Sequence, residues 1–294
     1  MTALSYKTKP FDEGDKKYID GRLEEAWYLH APAVPGAEDE KLVYKITDAE
    51  GNLIAGSLLE IDRWKCGDLD VLWVDERYRR RGLGSLLIRN AERVFRERGC
   101  YVSALGTFTF QARPLYEKHG YTVWGTIENW PRGEANYSLY KRLDRPSRDY
   151  IPSKPLPETE YPVQPGNQED RERIIAGLVA HNESCAPGVR EAETLSRKLT
   201  DDKGKLVAGI EASIDDWDDL FFDIWVEEPY RNQGLGTRLL EEVEQEAREK
   251  GAYLALIWCF DWQMEFFKKR GYTVCCEAED LPRGHTFYCM RKDF

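Results

Sequence analysis

The chain contains one pattern twice. Residues 72–87, LWVDERYRRRGLGSLL, and residues 224–239, IWVEEPYRNQGLGTRL, align at an offset of 152. Gly99 and Tyr101 match Gly251 and Tyr253 at the same offset. After a one-residue deletion in the second copy, HGYTVWG (119–125) matches RGYTVCC (270–276) and WPRGEANY (130–137) matches LPRGHTFY (281–288). Two long units make a domain duplication rather than a solenoid, whose short repeats stack in series. Any fold assigned to one copy must therefore suit both.

Between the copies, residues 144–168 hold six of the fourteen prolines: Pro146, Pro152, Pro155, Pro157, Pro162 and Pro165. Proline lacks an N–H and breaks helices and central strands, so an extended surface linker is expected. The expected boundaries are a first domain at 1–143, a linker at 144–166 and a second domain at 167–294. The net charge of −11 divides unevenly. Residues 1–143 carry 22 basic and 22 acidic side chains, and the rest carry 20 and 31. An acidic chain lacks the basic face that phosphate neutralisation needs, so nucleic acid is excluded as a general partner.

No apolar run reaches the roughly 18 residues of a membrane span, so no membrane partner is expected. Residues Met1 to Lys17 have no apolar signal core. The seven cysteines contain no C-x-x-C pair, and only Cys275 and Cys276 are close. This spacing argues against a metal site and against a disulfide framework, and a reducing cytoplasm is expected.

Each copy reads as the same order of elements. An amphipathic helix comes first, near 15–30 and 168–181. Two strands follow, separated by turns at 48–52 and 201–204. Then come an apolar strand (70–74, 221–226), a Gly-containing turn, and a helix (85–98, 237–250) closed by Gly99 or Gly251 as left-handed C′ residues. A buried strand (101–105, 253–258), a short helix and two closing strands complete the copy. The class is α/β (α+β), with a central sheet covered by helices.

The Gly-containing turn suggests chemistry. A helix N-terminus offers unpaired N–H groups and a favourable dipole to an anion. Gly82 and Gly84 would let the backbone approach a bulky phosphate, and Arg79, Arg80 and Arg81 add positive charge. A pyrophosphate is the expected guest. The dinucleotide fingerprint would need a third glycine at Leu87, and a P-loop would need Gly-Lys-Ser/Thr; both fail. What remains, twice, is Arg-x-x-Gly-x-Gly. The expected contacts are Trp73, Val74, Arg79, Arg80, Arg81, Gly82, Leu83, Gly84 and Ser85. In the second copy they are Val226, Arg231, Asn232, Gln233, Gly234, Leu235, Gly236 and Thr237.

This spacing resembles the coenzyme-A-binding motif of the GNAT superfamily of N-acetyltransferases. Further marks are WVDERYRRRGLG, the helix ending at Arg98-Gly99, and QARPLYEKHGY (111–121) with Ala112, Leu115-Tyr116 and Gly120-Tyr121. The resemblance covers nearly all of both halves apart from the linker. It implies two GNAT domains in one chain, each a mixed sheet flanked by helices. It also implies acetyl-CoA as donor, a primary amine of a small molecule or peptide as acceptor, and direct attack without a covalent enzyme intermediate.

Amine acetylation needs a base, a donor to the acyl oxygen, and an acid for the leaving thiolate. The resemblance implies that Tyr116 is that acid; a phenol of pKa about 10 can protonate a thiolate at neutral pH. The resemblance also implies a carboxylate four residues before the valine that ends the central strand, which makes Asp70 the expected base, on the face of Val74 if the strand is regular. Asp68 shares that face, and Glu60 and Glu128 are further candidates; a positioning role for Asp70 is the alternative. The second copy has Phe267 at the tyrosine position and Phe222 at the Asp70 position, with Asp223 turned to the other face. Chemistry in the first copy is therefore expected. A non-catalytic CoA-binding scaffold, or activity in the second copy, is the alternative. His119 reads as a cation at a helix end. The chain is expected to act as a monomer, its two copies forming an internal pseudo-dimer, or as a homodimer.

Overall fold

The computed structural model describes residues 6–145 and 156–294. In chain order the elements are β1 (Lys7–Pro10), α1 (Glu13–His30), β2 (Glu40–Thr47), β3 (Leu53–Ile61) and β4 (Cys66–Val74). Then follow α2 (Leu83–Glu97), β5 (Val102–Phe108), α3 (Arg113–Lys118), β6 (Thr122–Glu128), β7 (Ala135–Arg142) and β8 (Gln164–Pro165). The remainder is α4 (Gln168–Cys185), β9 (Glu193–Thr194), β10 (Arg197–Thr200), β11 (Leu206–Ile214) and β12 (Asp219–Val226). Last come α5 (Leu235–Glu249), β13 (Leu254–Phe260), α6 (Asp261–Lys268), β14 (Thr273–Glu279) and β15 (Thr286–Asp293).

The chain forms two compact units. The first comprises Ala33–Pro187 and Leu281–Arg283. The second comprises the residues up to Pro32 together with Gly188–Asp280 and Gly284–Phe294. This division departs from the boundaries expected at 143 and 167. The first helix of the chain, α1, belongs with the second copy of the repeat, and α4 belongs with the first. Periodicity shows that a helix has an apolar side; it does not say which of two near-identical sheets that side covers.

In the first unit the strand order is β8-β2-β3-β4-β5-β7-β6. All pairings are antiparallel except β4 with β5. Helix α2 packs on one face through Leu83, Leu87, Ile88, Ala91 and Phe95. Helix α4 covers the other, where Ile174, Ile175 and Leu178 meet Val43, Leu58, Val71 and Trp73. Burial of such side chains contributes roughly 1.5–3 kcal/mol each. The second unit repeats this with β1-β10-β11-β12-β13-β15-β14. There α5 lies on one face, and α1 lays Ile19 and Leu23 against Trp225 on the other.

Gly99 and Gly251 do follow α2 and α5 in the left-handed region, at φ 77° and 96°. From residue 156 on, the linker differs from the extended surface segment expected. Pro146, Pro152 and Pro155 lie outside the described residues. Beyond them, Leu156, Tyr161 and Val163 pack against Leu83, Leu86 and Leu87, and β8 pairs with β2. Among the described residues, no helix is long and apolar enough to cross a membrane.

Candidate active site

The site of each unit begins where two parallel strands part. Strands β4 and β5 pair only through Cys66, Gly67 and Asp68 with Val102, Ser103 and Ala104. Beyond Asp68 they separate, leaving a wedge between Leu69–Val74 and Leu105–Phe108. Backbone groups along such a wedge have no cross-strand partner on that side, so they can hydrogen-bond a ligand. In the second unit β12 and β13 part after Phe221 and Leu256.

The turn at the head of α2 closes one end of the wedge. Arg79 Nε donates to the carbonyl of Val74 at 3.1 Å, and Arg231 Nε to that of Val226 at 3.0 Å. Arg80 and Asn232 then adopt φ of 64° and 60°, and Gly82 and Gly234 of 89° and 82°. Glycine takes this left-handed backbone without strain, which accounts for Gly82 and Gly234. Arg81 reaches back to the carbonyl of Arg77 at 3.2 Å, over the ring of Tyr78. Gln233 does the same to Pro229 at 3.1 Å.

No side chain caps the first-turn N–H groups of α2 or α5. Arg79, Arg80 and Arg81 are all exposed beside them. Uncapped donors with flanking guanidinium groups suit a pyrophosphate, so the residues present fit the CoA group that the sequence motif implies.

Several nominated residues serve in other ways. The side chains of Leu83 and Leu235 are buried, so only their backbone faces a ligand. A Cβ on Gly84 would come 3.0 Å from Leu115 Cδ2, so its small size also serves helix packing. Ser85 Oγ lies 3.1 Å from His119 Nε2, and Arg270 Nε donates to Thr237 Oγ1 at 3.1 Å. Both hydroxyls thus tie the later helix to the turn. His119 is also no cation at a helix end. Burial, then Lys141 and Arg89, lower its pKa to about 4, so it is neutral at pH 7. Trp73 faces α4, where a Cβ on Gly177 would come 2.4 Å from its Cε2.

Asp70 does not share a face with Val74. Val71 pairs with Leu58 and Asp68 with Glu60, so Leu69 and Asp70 together oppose Leu59. This is a β-bulge, and it breaks the alternation. Leu69, Leu72 and Val74 pack toward α2, whereas Val71 and Trp73 pack toward α4. The charges that act on Asp70 are those of Glu60, Lys41 and, on α4, Arg171. Burial, then Glu60, raises the pKa of Asp70, against Lys41 and Arg171.

Asp68 shares this surface. It is open to water at its edge, yet the protein packed around its carboxyl restricts solvation. That effect, then the charges of Asp70, Glu60 and Asp62, pushes it up to about 7. Asp62 accepts N–H bonds from Trp64 and Cys66 at 2.9 and 2.8 Å, and burial lifts it to about 6. Glu60 is opposite Asp68 and pairs with Lys41 at 2.7 Å. Glu128 stands at the exposed end of β6.

Tyr116 is buried on the α2 side, sharing a packed cluster with Leu69 and Leu105, the first separated residues of the two strands. Its ring meets Tyr121 edge-on at 6.1 Å. Burial alone raises its phenol pKa, which keeps it protonated. The two candidates therefore flank the head of the wedge from opposite faces.

In the second unit Phe267 takes the place of Tyr116, with Tyr272 at 5.8 Å. The parallel registers align Leu69 with Phe222 and Asp68 with Phe221. Asp70 is thus the inserted bulge residue, with no counterpart in the regular β12. Asp223 faces α1, as Trp225 does, and this is the surface equivalent to that of Asp70. It lies opposite Glu211, which pairs with Lys16 of α1. Burial, then Glu211 and Asp20, pushes Asp223 up to about 6. The second copy thus lacks the tyrosine but keeps a carboxylate on the matching face.

This wedge, turn and helix arrangement occurs twice, and so does the match to known sequences. The Acetyltransferase (GNAT) family matches residues 4–121 and 155–272. The chain belongs to that family and is an acetyltransferase with two GNAT repeats. It is 40% identical over 91 residues to the blasticidin-S acetyltransferase of Streptomyces morookaense, covering 31% of this chain and 67% of that one. It is 31% identical over 72 residues to the thialysine N-epsilon-acetyltransferase of Bos taurus, covering 24% of this chain and 39% of that one. An acetyltransferase structure from Bacillus cereus matches at 28% identity and a TM-score of 0.42, over 46% of this chain and 95% of the other.

Proposed function

We propose that the first unit transfers an acetyl group from acetyl-CoA to a primary amine of a small, cationic molecule. The observation that supports this reading is Tyr116 packed with Leu69 and Leu105 where β4 and β5 part, beside an uncapped helix N-terminus, with Asp68 and Asp70 on the same strand. The N–H groups of α2 and Arg79–Arg81 bind the donor's pyrophosphate. The wedge receives its extended arm, and a strand N–H polarises the acyl oxygen.

The acceptor enters on the α4 side, where the carboxylates attract its ammonium. Asp70, with Asp68, takes the proton, and the raised pKa of both carboxyls suits that task. The neutral amine attacks the acyl carbon, the C–S bond breaks as Tyr116 protonates the departing thiolate, and the second proton released by the new amide nitrogen passes through solvent to restore the Tyr116 phenol. The relatives' names support a small amine acceptor: one is an acetyltransferase of blasticidin S, the other an N-epsilon-acetyltransferase of thialysine. The same carboxylates provide a field that steers a cationic acceptor.

Purified protein with acetyl-CoA and a panel of small cationic amines should release free thiol. Tyr116→Phe should lower kcat roughly 10²-fold with little change in donor affinity. Unchanged turnover in that variant would remove Tyr116 from the chemistry. A second reading, activity in the second unit, rests on Asp223, and Asp223→Asn tests it. If that change rather than Asp70→Asn abolished turnover, the roles of the copies would be reversed.

A further inference from the structure

Strand β14 carries a bulge of its own. Val274 pairs with Met290 and Cys276 with Cys289, leaving Cys275 as the extra residue. A bulge sets two residues of one strand against one of its partner. Here all three are cysteines. The Sγ atoms of Cys275, Cys276 and Cys289 lie within 4.8 Å of one another, and none is in a disulfide. Cys276 and Cys289 are buried, while Cys275 is half-buried and opens the group to solvent.

The first unit is an internal control. Its β6 has the same bulge, with Val123 on Leu139 and Gly125 on Ser138, and Trp124 as the extra residue. Trp124, Gly125 and Ser138 stand where the second unit has its three thiols. The bulge therefore belongs to the fold, and sulfur is not needed to make it.

We propose that Cys275, Cys276 and Cys289 form a three-thiolate site for one thiophilic d10 metal ion of the Zn2+ or Cu+ class. Thiolates select such soft ions over Mg2+, Ca2+ and Mn2+. A metal–sulfur distance of about 2.3 Å puts three sulfurs in a plane about 4.0 Å apart, so closure moves each thiol by less than roughly 1 Å. Binding replaces the thiol protons, which pass to solvent, and involves no electron transfer. Three protein ligands leave a coordination position on the open Cys275 side. The spacing argument against metal sites misses this one because the ligands are brought together by strand register, not by proximity along the chain.

The test needs no acetyltransferase activity. The full chain, reduced and metal-free, is titrated anaerobically with Cd2+, read by thiolate-to-metal charge-transfer absorption and native mass spectrometry. One Cd2+ per chain is expected, displaced by Zn2+ or by Cu+. Cys289→Ser should abolish the band, and the milder Cys275→Ser should weaken binding at least tenfold while leaving the circular dichroism unchanged. Cys66→Ser and Cys185→Ser should bind as the parent does. Absence of the band in the parent, its persistence in both cluster variants, or its loss in Cys185→Ser would overturn the proposal. So would displacement by neither ion.

Discussion

Lys45 Nζ lies 2.7 Å from Asp170 Oδ2, and Lys198 makes the same ion pair with Asp15. Lys45 is opposite Gly56 in β2, and Lys198 is opposite Gly209 in β10, so the two lysines hold one position in the repeat. Their partners are the N3 residues of α4 and α1, each closing a capping box, with Asn167 and Asp12. One pair thus anchors the first turn of each helix to the strand it covers. Burial opposes the charge of Asp170, but the Lys45 ammonium and the Asn167 backbone N–H outweigh it and hold its pKa below the ordinary value.

Asp170→Ala removes the ion pair and half of the capping box together. The expected loss is roughly 1–3 kcal/mol, read from urea denaturation. The sign with pH follows from a depressed carboxyl. Its stabilisation is present above pH 3.8 and is lost as pH falls through the lower folded value. The difference between parent and variant should therefore shrink in acid. A gap that stayed constant down to pH 2 would show that the charge contributes nothing.

Gly177 has a sharper tolerance. Its missing Cβ is the space occupied by the Trp73 indole. Gly177→Leu must lift α4 from β4 or displace that ring, and overpacking of this kind costs roughly 1–3 kcal/mol. Because Trp73 lies three residues from Asp70 on the α4 side, acceptor KM should rise more than donor KM. Equal effects on both would mean that α4 is not a wall of the acceptor site.

The parts legible in the sequence are those that depend on short range. The strand–turn–helix around Gly82 is fixed by residues within a few positions of one another, and the repeat allowed it to be read twice. The partner of α1 depends on which of two similar sheets it meets, which periodicity does not encode. The face of Asp70 was misjudged because counting by two assumes a regular strand, and a single bulge reverses it. Comparing the copies contained the signal: the span from the β4–β5 pairing to Val74 is one residue longer than its counterpart before Val226. The neutral state of His119 was equally hidden, since it follows from burial against Ser85 rather than from its place at a helix end.

That histidine makes stability depend on pH. Its pKa is about 4 in the folded chain against 6.5 for the free group. Between those values the unfolded chain binds the proton and the folded chain does not, so stability rises with pH across that window. The contribution is up to roughly 3 kcal/mol between pH 4 and pH 6.5. His119→Gln can still hydrogen-bond Ser85 and should flatten this part of the profile, followed as Tm against pH. If the variant kept the full slope, the titrating group would lie elsewhere.

The carboxylates on the α4 side of β4 predict the pH dependence of turnover. Asp68, pushed up to about 7, is protonated in half the molecules at neutral pH, and a protonated carboxyl neither attracts an ammonium nor accepts its proton. Below pH 7 log kcat/KM should climb with a slope of one, and it should level off as pH passes through 7. Asp68→Asn removes the group that titrates there and leaves Asp70, whose pKa is raised by burial and then by Glu60. In that variant the ascending limb should move to lower pH, at a reduced plateau. Asp70→Asn should cost more, roughly 10²-fold in kcat, because the bulge points that carboxyl toward the acceptor side. An ascending limb unmoved in both variants would assign it to the amine itself and leave the two carboxylates only an electrostatic role.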